Sequence, residues 1–205
     1  MASKRCPKKP ATGINKLLQL LHKTFSLPDG LTTISYTYGS DNLPRKYHLA
    51  IDYAAPEGQD VVAFCAGTVK KASFDSANGN FVIIEHTISS KTVYSFYAHL
   101  ASVSIKEEMQ VNAGQKIGVI GATGNAAGSR HLHFSVVDTL DTSCSYWGYS
   151  TAFTGNAVNW LGVVFYDPDY IIDNGMLPTQ IATAPTSATT ALPEYVQIDP
   201  IGEDT

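Results

Sequence analysis

No uninterrupted apolar run in this chain of 205 residues approaches the ~20 that cross a bilayer, so no membrane-spanning helix is expected. Charge is sparse as well: 14 Lys and Arg against 18 Asp and Glu leave a formal net charge of -4, with no long basic block. That balance excludes the electrostatic footprint of a nucleic-acid binder or of a protein held on anionic lipid. Cysteine is scarce. Cys6, Cys65 and Cys144 are an odd number, without Cys-x-x-Cys spacing or the density of a disulfide framework. Reduced thiols are the expectation, a Cys6–Cys144 bridge is left open, and Cys65 in "VVAFCAG" reads as a small buried hydrophobe. There is no internal repeat.

What the chain does contain is a change of texture along its length. The opening "MASKRCPKKPATG" is a basic lead, and "INKLLQLLHKTF" is broken by Asn, Lys, Gln and His, which argues against the apolar centre of a signal peptide. Ile14, Leu17, Leu18, Leu21 and Phe25 keep i, i+3, i+4 spacing, which predicts a short amphipathic helix stopped by "LPDG", with His22 on its polar side. Residues 1–30 are therefore read as lead plus helix. From Leu31 to about Val137 short alternating or apolar runs follow one another between Gly, Asn, Asp and Ser clusters: "YHLAIDY", "DVVAFCAGTVKKA", "NFVIIEH", "TVYSFYAHL", "QKIGVIG" and "HLHFSVV". The expected fold is mainly β, an antiparallel sheet forming a sandwich or half-open barrel. Residues 138–165, rich in Ser, Thr, Gly and aromatics, are read as an elaborated insertion with one further strand, inside a domain over 31–178. Residues 179–205, rich in Ala, Thr, Ser and Pro and ending acidic, are read as a flexible tail.

Within that β texture one stretch, "RHLHFSV", sets two imidazoles one residue apart. On a strand, His131 and His133 share a face while Leu132 and Phe134 turn to the core. "YHLAID" repeats the design, since His48 and Asp52 are four apart with Ala50 between them and Leu49 and Ile51 turned inward. In "TVYSFYAHL", alternation puts Val93, Ser95, Tyr97 and His99 on one face, making His99 a candidate for the same surface. An isolated strand histidine usually has no special task. Zinc, however, is commonly held by imidazole nitrogens and a carboxylate, with three protein ligands and one open position at catalytic sites. His48, Asp52 and one histidine of the His-Leu-His pair complete such a set and leave the other free for acid–base work.

Taken together and in this order, the segments resemble the lysostaphin-type zinc endopeptidases, the cell-wall glycyl-glycine and DD-endopeptidase family, over roughly residues 45 to 137. "YHLAIDYAAPEGQDVVAFCAGTV" looks like the family's opening segment and "VNAGQKIGVIGATGNAAGSRHLHF" like its glycine-rich approach to the last two histidines. The resemblance implies the duplicated-hybrid-motif kind of sheet, one Zn2+ per chain on His48, Asp52 and His133, and His99 and His131 as the catalytic histidines. Such a metal lowers the pKa of water toward ~7 and polarises a carbonyl. Some positions depart from the family's pattern: Ala50 replaces a glycine, Ser135 stands where an acid often follows "HLHF", and Glu107, Glu108 and Met109 replace part of a glycine-containing turn. His86 is read as structural or part of the outer cleft, and Glu85 as alternating away from it. Tyr97 is either packed or near the oxyanion, and Tyr146, Trp147 and Tyr149 either wall a cleft or join the core.

The function this implies is hydrolysis of peptide stems or cross-bridges of bacterial peptidoglycan. Two alternatives stand beside it: a catalytically silent module that binds wall or activates another hydrolase, and a zinc peptidase acting on ordinary proteins. Silent members typically lose ligands, whereas all five key positions are filled here. Without a signal peptide, the chain is expected to be made in the cytoplasm and to reach the wall by lysis, in a phage particle or through a secretion or injection apparatus. The partners such routes imply are that carrier and an immunity protein.

Overall fold

The computed structural model describes residues 33–43, 46–54, 58–126, 128–140, 149–150, 155–160 and 162–183. The helix predicted over residues 14–25, residues 184–205 of the tail read over 179–205, Cys6, Cys144, Tyr146 and Trp147 lie outside them, whereas Ala182 and Thr183 of that tail pair with Val158 and Asn159 as a strand. Three short strands open the described chain: β1 (Thr33–Tyr36), β2 (Asp41–Leu43) and β3 (Lys46–His48), followed by β4 (Ile51–Ala54) and β5 (Asp60–Val62). The long strands β6 (Gly67–Asp75), β7 (Gly79–Ile88) and β8 (Lys91–Val103) come next, then β9 (Gln110–Val111), β10 (Lys116–Ile120) and β11 (His131–Val137). β12 (Tyr149–Ser150), β13 (Ala157–Trp160), β14 (Val163–Tyr166), one helix α1 (Pro168–Asn174) and β15 (Ala182–Thr183) complete the order.

Twelve of the strands form one sheet whose path runs β15-β13-β14-β11-β8-β7-β6-β9, with β1, β4, β5 and β10 attached beside it; β2, β3 and β12 form a second sheet. Pairing is antiparallel except between β13 and β15, and the path does not close on itself. The mainly β, open antiparallel fold is the one the sequence predicts. Among the described residues no helix is long and apolar enough to cross a membrane.

β7 explains why the centre of the sheet is stable. Phe81, Val82, Ile83 and Ile84 are consecutive and all buried, so this strand is covered on both faces. Each such side chain contributes about 1.5–3 kcal/mol when fully removed from water. β11 separates its two faces by function: Phe134 packs against Tyr97 at 5.1 Å and Phe64 at 5.4 Å between ring centroids, while the histidines occupy the other side. Cys65 is buried and unbridged, as expected of a small hydrophobe.

The segment after Asp138 adds more strand than the single one expected. β12 joins β3, and the β13–β14 hairpin extends the large sheet from β11. α1 also goes beyond the sequence reading, although its signals are present. The Asp167 side chain caps it through the Asp169 N–H at 3.0 Å, Pro168 opens it, and Gly175 closes it in the left-handed conformation at φ 69°. In the turn where the family has glycine, Glu108 takes φ 64°, a conformation glycine adopts without strain.

Candidate active site

Strand register brings the first two candidate ligands together. β4 runs antiparallel to β11, with Asp52 directly opposite His133, so their side chains share a face and His133 Nδ1 lies 2.9 Å from Asp52 Oδ1. His48 arrives by another route than the continuous strand inferred from its spacing. The chain bends at Leu49 and Ala50, both fully buried, so that β3 and β4 belong to different sheets. That bend swings His48 Nε2 to 3.5 Å from Asp52 Oδ1 and 3.4 Å from His133 Nδ1.

Three donor atoms thus converge from three strands, all on buried residues. Zinc bonds of 2.0–2.1 Å in a tetrahedron place neighbouring donors about 3.3 Å apart. The observed separations of 2.9, 3.4 and 3.5 Å bracket that value, so the donor set fits such an ion. The protonation states fit too. Burial lowers the His48 imidazole to a pKa of about 4. Burial would raise the Asp52 carboxyl, but the hydrogen bond from His133 and the surrounding imidazoles outweigh it and hold the pKa at about 2. Near neutrality His48 is uncharged and Asp52 ionised, the forms that a divalent cation requires.

The other two histidines lie against this triad. His99 and His131 have ring centroids 4.7 Å apart, and His99 is 6.4 Å from His133. Each imidazole is fixed by a main-chain carbonyl: His99 Nδ1 lies 2.9 Å from Thr123 O, and His131 Nδ1 lies 2.9 Å from Ser129 O. A carbonyl only accepts, so in the neutral form Nδ1 carries the proton of each ring and Nε2 keeps its lone pair. Burial, then the proximity of His131 and His133, lowers the His99 pKa to about 3.

His99 reaches this surface by a different path from simple alternation. Tyr97 and Ser95 occupy the opposite, core face: the Tyr97 hydroxyl accepts the Phe64 N–H at 3.0 Å, and Ser95 Oγ lies 2.7 Å from His86 Nε2. Strict alternation would carry His99 to that face as well. Instead β8 holds one extra residue opposite β7, because Asn80 pairs with Leu100 while Val82 pairs with Tyr97. At this bulge His99 takes φ 64° and turns toward His131. Tyr97 is therefore packed in the core and turned away from the histidine surface.

Glu85 ion-pairs with Lys70 at 3.7 Å and accepts from the Tyr94 hydroxyl, both off the histidine surface. His86 is structural: its Nδ1 donates to Ala66 O at 2.9 Å, and its ring packs 4.9 Å from Phe64. Burial lowers its pKa to about 4. Between pH 6.5 and 4 the unfolded chain takes up a proton at this position that the folded chain refuses, so stability falls as pH drops through that window. In chelator, His86→Gln is expected to lose about 2 kcal/mol less than the unaltered protein between pH 7 and 5. Urea midpoints at the two pH values measure this, and identical losses would refute it.

Residues 46–144 match the sequence profile of peptidase family M23. The peptidoglycan DD-endopeptidase ShyC of Vibrio cholerae serotype O1 is 40% identical over 89 residues, which are 43% of this chain and 20% of that protein. The murein hydrolase activator NlpD of Salmonella dublin is 38% identical over 87 residues, 42% of this chain and 22% of that one. The chain thus spans about a fifth of the length of these curated relatives. Among solved structures, the antimicrobial peptidase lysostaphin from Staphylococcus simulans shares 26% identity at a TM-score of 0.51, covering 60% of this chain and 49% of that one.

Proposed function

We propose, from the premise that residues 46–144 belong to peptidase family M23, that the chain is a zinc-dependent endopeptidase cutting peptide stems or cross-bridges of bacterial peptidoglycan. The observation that carries this reading is the convergence of His48, Asp52 and His133 beside two tautomerically fixed histidines. A peptidoglycan DD-endopeptidase among the relatives supports the substrate class. That substrate lies outside the cytoplasm, so the reading requires export, lysis or a carrier such as a phage particle or injection apparatus.

In this reading His48 Nε2, Asp52 Oδ1 and, once the proton it donates to Asp52 is released, His133 Nδ1 would hold the ion. When bound, zinc supplies Lewis acidity toward a carbonyl and lowers the pKa of water. Adding water across an amide also needs a base for the water proton and an acid for the leaving amine. His131 is half-buried and presents the lone pair of Nε2, so it takes the proton as oxygen attacks the carbonyl carbon. The C–N bond then breaks, and the proton passes from imidazolium to the departing nitrogen. His99 is an acceptor while neutral and becomes a donor only once charged. It therefore relays this proton or, when charged, hydrogen-bonds to the developing oxyanion.

Purified sacculi of both wall types, incubated with protein as isolated, chelated and zinc-restored, test the reading by turbidity and muropeptide mass spectrometry. Zinc-dependent release of defined fragments is expected, and their masses identify the bond. An activator rather than an enzyme would bind zinc, release nothing alone and accelerate a second hydrolase. The name of the Salmonella dublin relative motivates that control.

A further inference from the structure

His99 is not glycine, yet it sits at φ 64°, a left-handed backbone conformation that L-residues with a side chain rarely adopt. Something must hold it there. The hydrogen bonds around it lead to the β6–β7 turn and to the loop after β10. The His99 N–H donates to Asn78 O at 2.9 Å, within the turn, and its ring donates to Thr123 O. The Thr123 hydroxyl then closes the bulge from the other side, donating to Leu100 O at 2.7 Å and accepting the Asn80 N–H at 3.0 Å.

The turn and the loop are themselves locked together. Asp75 Oδ1 accepts from Ala77 N and Asn78 N at 2.9 and 2.7 Å, and Oδ2 accepts from Asn78 Nδ2 at 2.8 Å. Asn125 N donates to Ala77 O at 2.9 Å. No side chain fits between the two segments, since a Cβ on Gly79 would overlap Thr123 and a Cβ on Gly124 would overlap the backbone of Gly79. Their close approach fixes Thr123 against His99 rather than leaving the loop to drift.

We propose that Thr123 is the positioning residue of the site, its carbonyl setting the tautomer of His99 and its hydroxyl locking the bulge that aims the imidazole at His131. This rests on the reading of His99 as catalytic. Thr123 is not one of the three converging donor residues; it acts through the ring it holds. Asp75 stands one step further out, holding the turn whose Asn78 carbonyl fixes the His99 backbone.

The test compares Thr123→Val, which removes the hydroxyl at constant shape, with Thr123→Ser, which retains it, in zinc-loaded protein. Nitrogen-resolved NMR of the imidazoles is expected to show His99 protonated at Nδ1 in the unaltered protein and in the serine variant, and a mixture of tautomers in the valine variant. In step with that, kcat for muropeptide release falls about tenfold or more in Thr123→Val, KM stays within about twofold, and Thr123→Ser recovers most of the rate. Unchanged His99 ring signals in Thr123→Val overturn the proposal whatever the rate does. A lost kcat that serine does not restore overturns it as well. If the valine protein does not fold, Asp75→Ala carries the same ring measurement. Full activity in His99→Gln would refute the catalytic reading of His99, while the ring signals would still decide what positions it.

Discussion

On the proposed reading of one zinc per chain, His133→Ala is expected to lower the loading to less than about a tenth of an ion. His133 is central because its Nδ1 lies 2.9 Å from Asp52 Oδ1 and 3.4 Å from His48 Nε2, so its removal breaks two of the three donor contacts. The two donors that remain come from different sheets and keep one contact, His48 Nε2 to Asp52 Oδ1 at 3.5 Å. The substitution also deprives a buried carboxylate of its hydrogen bond, which raises the Asp52 pKa and weakens the donor set again. Thermal unfolding separates this loss from simple misfolding. A ligand bound only by the folded chain at a thousandfold excess over Kd adds about 4 kcal/mol. Zinc should therefore raise the Tm of the unaltered protein and leave that of His133→Ala where it was. A folded His133→Ala protein that still held one tightly bound zinc would remove His133 from the ligand set. Asp52→Asn, which keeps shape and loses charge, is expected to behave in the same way.

How much of this site is legible in the sequence depends on whether a residue is placed by its own strand or by something beyond it. His131 and His133 are placed by strand period alone, and the spacing predicts their shared face. Asp52 meets His133 through cross-strand register, which no local pattern encodes. His48 and Asp52 converge as their spacing suggests, but through a bend between two sheets rather than along one strand. The position of His99 depends on a bulge that shifts the phase of β8 by one residue, so alternation assigns it the neighbours Tyr97 and Ser95, which the fold turns the other way. Thr123 escapes sequence reading for a different reason. It contributes a main-chain carbonyl, which every residue type possesses and no motif marks. The missed helix differs again: Asp167, Pro168 and Gly175 announce its start and stop, but seven residues are too few to show a period.

The second large effect is expected when the metal stays and turnover goes. His99→Ala and His131→Ala should each retain about one zinc per chain while kcat falls roughly 10²–10⁴-fold, the usual worth of a positioned acid–base group. Neither imidazole belongs to the triad of donor atoms, so the ligand set survives either change. Both present Nε2 as an acceptor, and their centroids are 4.7 Å apart, so in the proposed mechanism the proton leaving water and the proton reaching the amine would pass through one small space. Charging both rings at once is unfavourable at that distance, and the proximity of His131 already helps to lower the His99 pKa. The two should then act as a unit: the double variant is expected to be barely slower than the worse single one, far from the product of the two losses. Strictly multiplicative losses in kcat would mean that the histidines serve independent steps, and the shared proton path would have to be given up. Loss of zinc from His99→Ala would instead move that residue into the metal's coordination sphere.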